Sequence, residues 1–589
     1  MTRSRNKSAP TKMENLRMVL FAALAGVLFL MYQAWQKDYP QQQAQAPSAS
    51  PLASPLDSVP GETSATTSSG DDEGVPSLGA SADAPGSVPP VQGERGEAVS
   101  AQPGQTIEIT TDVYRVSIDL AGGDIRRLEL LDYPIAKAHP DQPLPLLNDE
   151  LPHFFVLQSG LVSNAGSAPD HNTVYQAERS RYTLAEQDED LVVPLRWTGA
   201  DGLTVEKVYR FTRGSYEVNL LYRVSNDTAE QRQLSPYLRM WRTPNKAGEE
   251  PPFIKSFIGA AVYTRDSDGQ YKYKKYDAGD LEKESVTLEQ QGGWLGMLQH
   301  YFVAAVLPEP TELNRFYLRP GKRFGFIGEY VGERVDVAPQ AGREINLRLY
   351  MGPKLQQELE TVAKGLELTV DYGLLTPISQ PLFWVLDKLH GLTGNWGWSI
   401  ILLTLLIKLA FYKLSEAQYR SMARMKKFAP RIQSIKERYA DDRERLHQAM
   451  MDLYKKEGFN PLAGCWPMLV QFPVFIALYW VLLESVELRQ ADFALWINDL
   501  SSPDPLYVLP VLFGISMYLQ QKLSGQAMTM EPMQQRIMTI MPIGLAIFFA
   551  FFPAGLVLYW FVSNLVGIIQ QWVITKRLEH EEHAQPKKR

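Results

Sequence analysis

Residues 537 to 575 contain no charged side chain, and this stretch limits the folds that are open to the chain. One membrane-spanning helix needs about 20 apolar residues, so the stretch is too long for a single crossing. The tripeptide Pro553-Ala554-Gly555 interrupts it, and Pro and Gly close together are typical of a turn between helices. We therefore predict two spans here, at residues 537–552 and 556–575.

Four further apolar segments predict four more spans, at residues 16–36, 395–414, 461–484 and 505–522. A cleavable signal peptide is the alternative interpretation of the first segment. Its apolar part exceeds the roughly 7 to 15 residues that are usual in signal peptides, and no cleavage site follows it closely. We therefore predict a retained anchor and a polytopic α-helical membrane protein with six spans.

The distribution of basic residues predicts the orientation of these spans, because cytoplasmic segments are rich in Lys and Arg. The segment 415–460 is dense in basic residues and the tail 576–589 ends in KKR, whereas the loop 485–504 has Arg489 as its single basic residue. The prediction places 485–504 and the long segment 37–394 outside. It places four segments in the cytoplasm: 1–15, 415–460, 523–536 and 576–589.

The outer segment divides by composition. Residues 37–104 are rich in Pro, Ser, Ala, Gly and Gln, which predicts a flexible tether. Residues 105–378 alternate apolar and polar positions between turn residues, which predicts a large antiparallel β-sandwich domain. Cys465 is the single cysteine, so no intrachain disulfide supports this domain.

The β-domain has no recognisable reactive motif. It lacks H-E-x-x-H, G-x-S-x-G and a Gly-rich phosphate loop, so we predict a structural or contact domain. An enzyme that processes carbohydrates through paired carboxylates remains the alternative.

Two helical regions flank the second span. Residues 379–394 have apolar positions on one face, which predicts an amphipathic helix at the membrane interface, with an ordinary domain helix as the alternative. In residues 415–460 apolar positions recur every three or four residues on both sides of Asp441-Asp442, which predicts a cytoplasmic helical hairpin. Its many charges form either a solvated face or a docking surface for a partner.

Lys408 lies inside the span 395–414, where a charge costs roughly 2.5 to 3.5 kcal/mol on insertion scales. No acidic residue is available to pair with it in that span, or between residues 458 and 483, 506 and 521, or 537 and 575. Two interpretations follow: the side chain extends to the membrane surface, or it faces a hydrated groove. Four polar residues at similar depth favour the groove: Thr404, Gln471, Tyr559 and Ser563.

Several long motifs then become recognisable, among them DLYKKEGFNPLAGCWPMLVQFPVF, EPMQQRIMTIMPIG and FPAGLVLYWFVSNLVGIIQQ. They closely resemble the YidC/Oxa/Alb family of membrane-protein insertases. The anchor, tether and β-domain resemble the Gram-negative form, whose periplasmic domain is a β-super-sandwich similar to sugar-mutarotase folds and without known enzymatic activity. The resemblance implies a five-helix core, a cytoplasmic hairpin and a hydrophilic groove in the inner leaflet around one basic residue.

By position, the resemblance implies that Lys408 is the central basic residue of the groove. Many relatives have arginine there. The resemblance also places Thr404, Gln471 and Ser563 along the groove. It places five aromatic residues on the path of an incoming substrate helix: Phe472, Phe475, Phe513, Tyr559 and Trp560. From their spacing alone, these aromatic side chains would be assigned to lipid contacts or to the core.

The resemblance implies an insertase and chaperone of the bacterial inner membrane that uses no cofactor or metal and catalyses no covalent step. Its expected partners are nascent membrane proteins, the lipid bilayer and the Sec translocon. We also expect the ribosome and signal-recognition machinery to contact the hairpin and tail, without direct nucleic-acid readout. The alternatives are a solute transporter, for which the sequence shows neither a paired charge site nor internal repeats, and a cell-envelope enzyme.

Overall fold

The computed structural model describes residues 105–584 except 165, 245–256, 267, 440–441, 457–465 and 525–531. The chain divides into the units Met1–Asp72 and Glu73–Arg589, and every described residue belongs to the second. The predicted N-terminal segment 1–15, the first span 16–36 and the whole tether 37–104 lie outside the described residues.

Two β-sheets form the first half of this unit. In chain order the described strands are β1 Thr106–Thr110, β2 Tyr114–Asp119, β3 Asp124–Pro134, β4 Pro143–Leu147, β5 Phe155–Ser163, β6 Gln176–Ala177, β7 Arg181–Thr183, β8 Asp190–Thr198, β9 Leu203–Thr212, β10 Glu217–Asn226, β11 Arg232–Arg242, β12 Gly259–Arg265, β13 Tyr271–Tyr276, β14 Val286–Gln291, β15 Trp294–Leu298, β16 Phe302–Leu307, β17 Leu313–Pro320, β18 Phe326–Val331, β19 Val335–Val337 and β20 Ala341–Pro353.

The strands form an 11-stranded and a 9-stranded sheet. The first has the order β14-β17-β18-β11-β5-β3-β2-β1-β7, with β19 beside β11 and β4 beside β3, and the second has the order β13-β12-β15-β16-β20-β10-β9-β8-β6. Within the described residues the pairs are antiparallel except β1 with β7, which run parallel. The sandwich prediction is confirmed, and its purely antiparallel form is wrong at this one edge.

Alternation of side chains explains why these segments form strands that share one core. In β10 the residues Val218, Leu220, Tyr222 and Val224 are buried, while the residues between them are partly or fully exposed. Successive side chains of a strand point to opposite faces, so this pattern buries one face of the sheet against the other sheet.

Helices form the second half. In chain order they are α1 Ala278–Lys283, α2 Gln356–Val362, α3 Thr376–Thr393, α4 Trp396–Ala410, α5 Tyr412–Arg438, α6 Arg443–Lys456, α7 Trp466–Glu484, α8 Val508–Ser524, α9 Pro532–Phe549 and α10 Ala554–Ala584. Helices α5 and α6 lie at the predicted helical hairpin and contact each other. Helix α3 corresponds to the predicted amphipathic helix but begins three residues earlier, so Pro377 rather than Pro381 lies in its first turn.

The α4 helix ends earlier than the sequence predicts. It stops at Ala410, four residues before the predicted end of the span, and the chain bends by 67° into α5. No Pro or Gly marks this bend, so hydropathy alone did not reveal it. As a result, Lys408 lies in the last turn of α4.

Helix length leaves the six-span prediction unconfirmed. In the described part of the chain, only Ala554–Leu578 is long and apolar enough to cross a bilayer, with a second candidate if Trp396–Ala410 and Tyr412–Ala423 count as one bent span. The apolar helices Val470–Glu484 and Gln535–Phe549 are shorter. Each rises about 22 Å at 1.5 Å per residue, compared with a hydrocarbon thickness of about 30 Å.

The β-domain contacts the loop that follows α7. Lys137 Nζ donates to Gln490 O at 2.8 Å and Asn498 O at 2.6 Å, and it pairs with the Asp492 carboxylate at 2.7 Å. Arg489 donates to Pro134 O at 2.7 Å. These bonds join the turn between β3 and β4 to a loop that is more than 350 residues away in sequence.

Glu487 is an acidic group buried at this contact. Its Oε2 is buried and has no hydrogen-bond partner among the described residues. Burial raises the pKa of the Glu487 carboxyl to about 7, although the backbone N–H groups of Glu487 and Gln356 donate to it; the nearby Asp387 raises it further. Two phenols, Tyr133 and Tyr372, lie close enough to interact with its charge.

We expect Glu487→Gln to change the pH dependence of stability. An unfolded glutamate releases its proton near pH 4.5, whereas the folded protein keeps Glu487 protonated up to about pH 7. The stability that this bound proton contributes is therefore full below about pH 4.5 and is lost as the pH rises to about 7. The melting temperature of the variant should therefore exceed that of the wild type more at pH 8 than at pH 5. Glu150→Gln, at an exposed position, serves as the control. If the melting temperatures of Glu487→Gln and the wild type differ equally at pH 5 and pH 8, the raised pKa of Glu487 is contradicted.

Candidate functional site

Lys408 is half-buried in the last turn of α4. Among the described residues no hydrogen bond or ion pair is recorded for its ammonium group. Its backbone carbonyl accepts a hydrogen bond of 3.3 Å from the Gln570 side chain of α10. A cation near a helix C-terminus is favoured by the carbonyl groups there.

The other predicted groove residues occupy different environments. Thr404 is 1% exposed, and its hydroxyl donates to Ile400 O at 2.7 Å within its own helix. Gln471 is half-buried on α7, and its side chain hydrogen-bonds with the Tyr559 hydroxyl of α10. Ser563 is half-buried one turn further along α10. The structure therefore joins Gln471 to Tyr559, and no hydrogen bond among the described residues joins the Lys408 ammonium to Thr404, Gln471 or Ser563.

A polar face on α10 was not predicted from the sequence. Its residues recur at helical spacing and share one side of the helix: Ser563, Asn564, Gly567, Gln570 and Gln571. Asn564 donates to the Ser516 hydroxyl of α8 at 3.4 Å, and the Tyr419 hydroxyl of α5 donates to Gly567 O at 3.1 Å. This face thus runs between α4, α5 and α8 and reaches the backbone of Lys408.

Two glutamines of this face retain unused hydrogen-bonding capacity. Gln570 and Gln571 are 9% and 7% exposed, and the Oε1 atom of each is buried without a partner among the described residues. An amide oxygen without a partner in an apolar bundle is costly, so these groups favour a contact with water or a polar ligand. The doubled Gln in an otherwise apolar run was the sequence signal for this site.

The five predicted aromatic residues lie together. Phe475 stacks on Tyr559 at 6.2 Å between ring centroids and lies 4.7 Å from Trp560, which in turn lies 5.5 Å from Phe513. Phe472 lies 6.4 Å from Phe475 and is the most exposed of the five, at 40%. Phe513 and Tyr559 are buried inside the cluster, whereas Phe472 lies at its exposed edge.

The described residues contain no group of three or more His, Cys, Asp or Glu side chains that could hold a metal ion. The polar groups at the site are instead amides, hydroxyls and one ammonium group. Such groups can bind water and acidic or neutral polar segments.

Comparisons with known proteins show the family of the chain. A family model described as the YidC periplasmic domain matches residues 106–385, and one described as a 60Kd inner membrane protein matches residues 388–582. The chain is 44% identical to the membrane protein insertase YidC of Nitrosococcus oceani over 97% of this chain and 100% of that one. It is also 44% identical to the protein of the same name from Thioalkalivibrio sulfidiphilus, over 96% and 99%.

One solved structure is also similar, that of an active YidC insertase with the first transmembrane domain resolved. The identity is 16%, the match covers 80% of this chain and 93% of that one, and the TM-score is 0.36, which is too low for any structural inference.

Proposed function

Because the chain belongs to the YidC family of membrane protein insertases, we propose that it moves polar ends of its substrates through a groove beside Lys408. The protein is an inner-membrane insertase with a periplasmic domain, it acts on nascent membrane proteins, and it is not an enzyme. The observation that best supports the groove is the polar face of α10, which carries buried amide oxygens without partners and reaches Lys408.

In the proposed mechanism, polar groups that already lie within the bilayer lower the free-energy cost of moving a polar segment of the substrate into it. Water and the amides of Gln570 and Gln571 would solvate a short substrate tail, and the ammonium of Lys408 would attract its acidic groups. The apolar part of the substrate would move past Phe472 into lipid, and the other aromatic residues of the cluster would lie behind Phe472. No covalent bond changes in this mechanism.

Reconstitution tests this function directly. The purified protein in liposomes should insert a small single-span membrane protein without any nucleotide, and protease protection of the translocated tail measures the yield. Empty liposomes provide the baseline. A yield equal to that baseline, with the protein shown to be folded and correctly oriented, would contradict the proposal.

We further propose the six-span topology, with both termini in the cytoplasm and the β-domain in the periplasm. The basic residues of 415–460 and the acidic loop 485–504 support it. On this topology the hairpin α5–α6 and the tail are available to the ribosome and signal-recognition machinery. The Sec translocon is proposed as a partner from the family resemblance alone.

Thiol labelling checks the topology. In a Cys465→Ser background, a cysteine at Ser434 should react with an impermeant reagent only from the cytoplasmic side, and one at Asn498 only from the periplasmic side. Both native side chains are exposed, so accessibility should depend on the side of the membrane and not on burial. The reverse pattern at either position would overturn the proposed orientation.

A further inference from the structure

The loop between α7 and α8 presents an exposed leucine at a sharp turn. Leu495 is 87% exposed, the largest exposed fraction among the large apolar residues of the described chain. Two backbone hydrogen bonds close the turn, from Phe493 N to Ile497 O at 3.0 Å and from Ile497 N to Ala494 O at 3.1 Å. Leu495 therefore occupies the tip of an ordered turn.

The backbone of this loop is strained. Leu495 has a φ of 59°, in the left-handed region that a leucine rarely adopts. In the described part of the chain four non-glycine residues have a positive φ, and three lie in or beside this loop: Gln490, Leu495 and Tyr507. Strain at non-glycine residues persists only where the surroundings hold it, and it is concentrated at functional sites.

Buried polar contacts hold the strained loop in place. Asp504 is 1% exposed, and its carboxylate accepts hydrogen bonds from Trp496 Nε1 at 2.9 Å, Leu506 N at 3.0 Å and Leu509 N at 2.7 Å. Asp499 accepts hydrogen bonds from Gln490 N and from Ser501. The sequence thus uses two carboxylates, the buried Asp504 and the half-buried Asp499, to present a leucine where glycine or asparagine would fit the backbone with less strain.

The position of the tip indicates what it contacts. Phe493, two residues before Leu495, packs against the first turn of α4, with its ring 5.7 Å from that of Trp398. The Asn395 side chain donates to Phe493 O at 3.0 Å and Asp492 O at 3.2 Å. The tip therefore lies at the end of a helix that the family resemblance places in the membrane.

Other exposed apolar side chains lie at the same end of the helices. Trp398 at the start of α4 is 52% exposed, and Leu392 at the end of α3 is 83% exposed. Tryptophan and leucine side chains at the end of membrane helices are typical of the interface between headgroups and acyl chains. The opposite edge of the loop, with Gln490 and Asn498, is bound to Lys137 of the β-domain.

We infer that the turn 493–497 inserts Leu495 into the outer leaflet of the bilayer and so anchors the loop to lipid. The partner is the lipid surface, because Leu495 continues an exposed apolar and aromatic series at the outer end of α3 and α4. Since the loop also binds Lys137, this anchor would fix the height of the β-domain above the membrane.

Spin labelling tests this inference in vesicles of phosphatidylethanolamine and phosphatidylglycerol. In a Cys465→Ser background, Leu495→Cys and Asn498→Cys each receive a nitroxide, and both positions are exposed, so neither substitution removes core packing. At position 495 the label should be relaxed more by oxygen, which concentrates in lipid, than by a water-soluble nickel complex. At position 498 the nickel complex should relax the label more than oxygen does.

Two outcomes would overturn the inference. Equal and high accessibility to the nickel complex at both positions would place Leu495 in water. Low accessibility to both relaxants at position 495 would indicate contact with protein. In unlabelled protein, amide hydrogen exchange of residues 493–497 should also be at least tenfold slower in vesicles than in the Leu495→Asp variant, and equal rates would likewise contradict lipid insertion.

Discussion

Replacing Lys207 by methionine is expected to destabilise the β-domain by about 3 to 5 kcal/mol, because it leaves a buried carboxylate without its cation. Lys207 and Asp124 are both 0% exposed, and their closest N–O distance is 3.2 Å. The ammonium also donates to Gly122 O at 2.8 Å and to Ser159 O at 3.1 Å. Burial lowers the pKa of Lys207 and raises the pKa of Asp124, and each group counteracts the shift of the other.

The matched control is Arg223→Met on the adjacent strand β10. Arg223 pairs with Glu206 at 3.1 Å and Glu344 at 3.0 Å, but its side chain is 46% exposed, so the variant should lose about 1 kcal/mol or less. The double variant Lys207→Met with Asp124→Asn should recover part of the lost stability. Denaturant-dependent proteolysis of the full-length protein in nanodiscs measures all three, and similar losses for Lys207→Met and Arg223→Met would contradict the buried-pair account.

Reversing the charge at Lys408 is expected to lower insertion of substrates with acidic translocated tails by at least about tenfold. Two unit charges about 4 Å apart attract by roughly 1 to 4 kcal/mol between water and a partly buried site, and 1.4 kcal/mol corresponds to a tenfold change. Lys408→Arg keeps the charge and should retain most insertion. Lys408→Gln should give an insertion yield between those of Lys408→Arg and Lys408→Glu.

The control is Lys413→Glu, which changes the net charge of the protein equally. Lys413 lies five residues further along, and its side chain is 92% exposed with an ion pair to Glu416 at 3.7 Å. Because Lys413 lies beyond the 67° bend and outside the α4 site, insertion should stay near the wild-type level. Equal losses from Lys408→Glu and Lys413→Glu would indicate a general electrostatic effect and not a specific role of the α4 site.

The sequence predicts the sandwich and the helices because both depend on local periodicity. The same alternation also places Lys207 on the buried face of β9, between Val205 and Tyr209. Its partner Asp124 is 83 residues away, so the ion pair could not be inferred from local pattern. The parallel pairing of β1 with β7 depends likewise on which strands meet at the sheet edge.

The candidate site was predicted in part. Lys408 and the aromatic cluster follow from charge, hydropathy and the family resemblance. The contact of Gln570 with Lys408 O depends on how α10 packs against α4, which the pair Gln570-Gln571 does not reveal in the sequence. The early end of α4 at Ala410 leaves no signal in hydropathy, because Phe411 and Leu414 continue the apolar run.

The most direct test of the central claim exchanges the charges of the protein and its substrate. Liposomes that contain the wild type or Lys408→Glu are supplied with one single-span substrate whose translocated tail carries either acidic or basic residues. An electrostatic groove predicts that Lys408→Glu impairs the acidic tail and that basic residues in the tail restore at least part of the yield. The same loss for acidic and basic tails, or no loss for either, would show that Lys408 does not act on substrate through its charge.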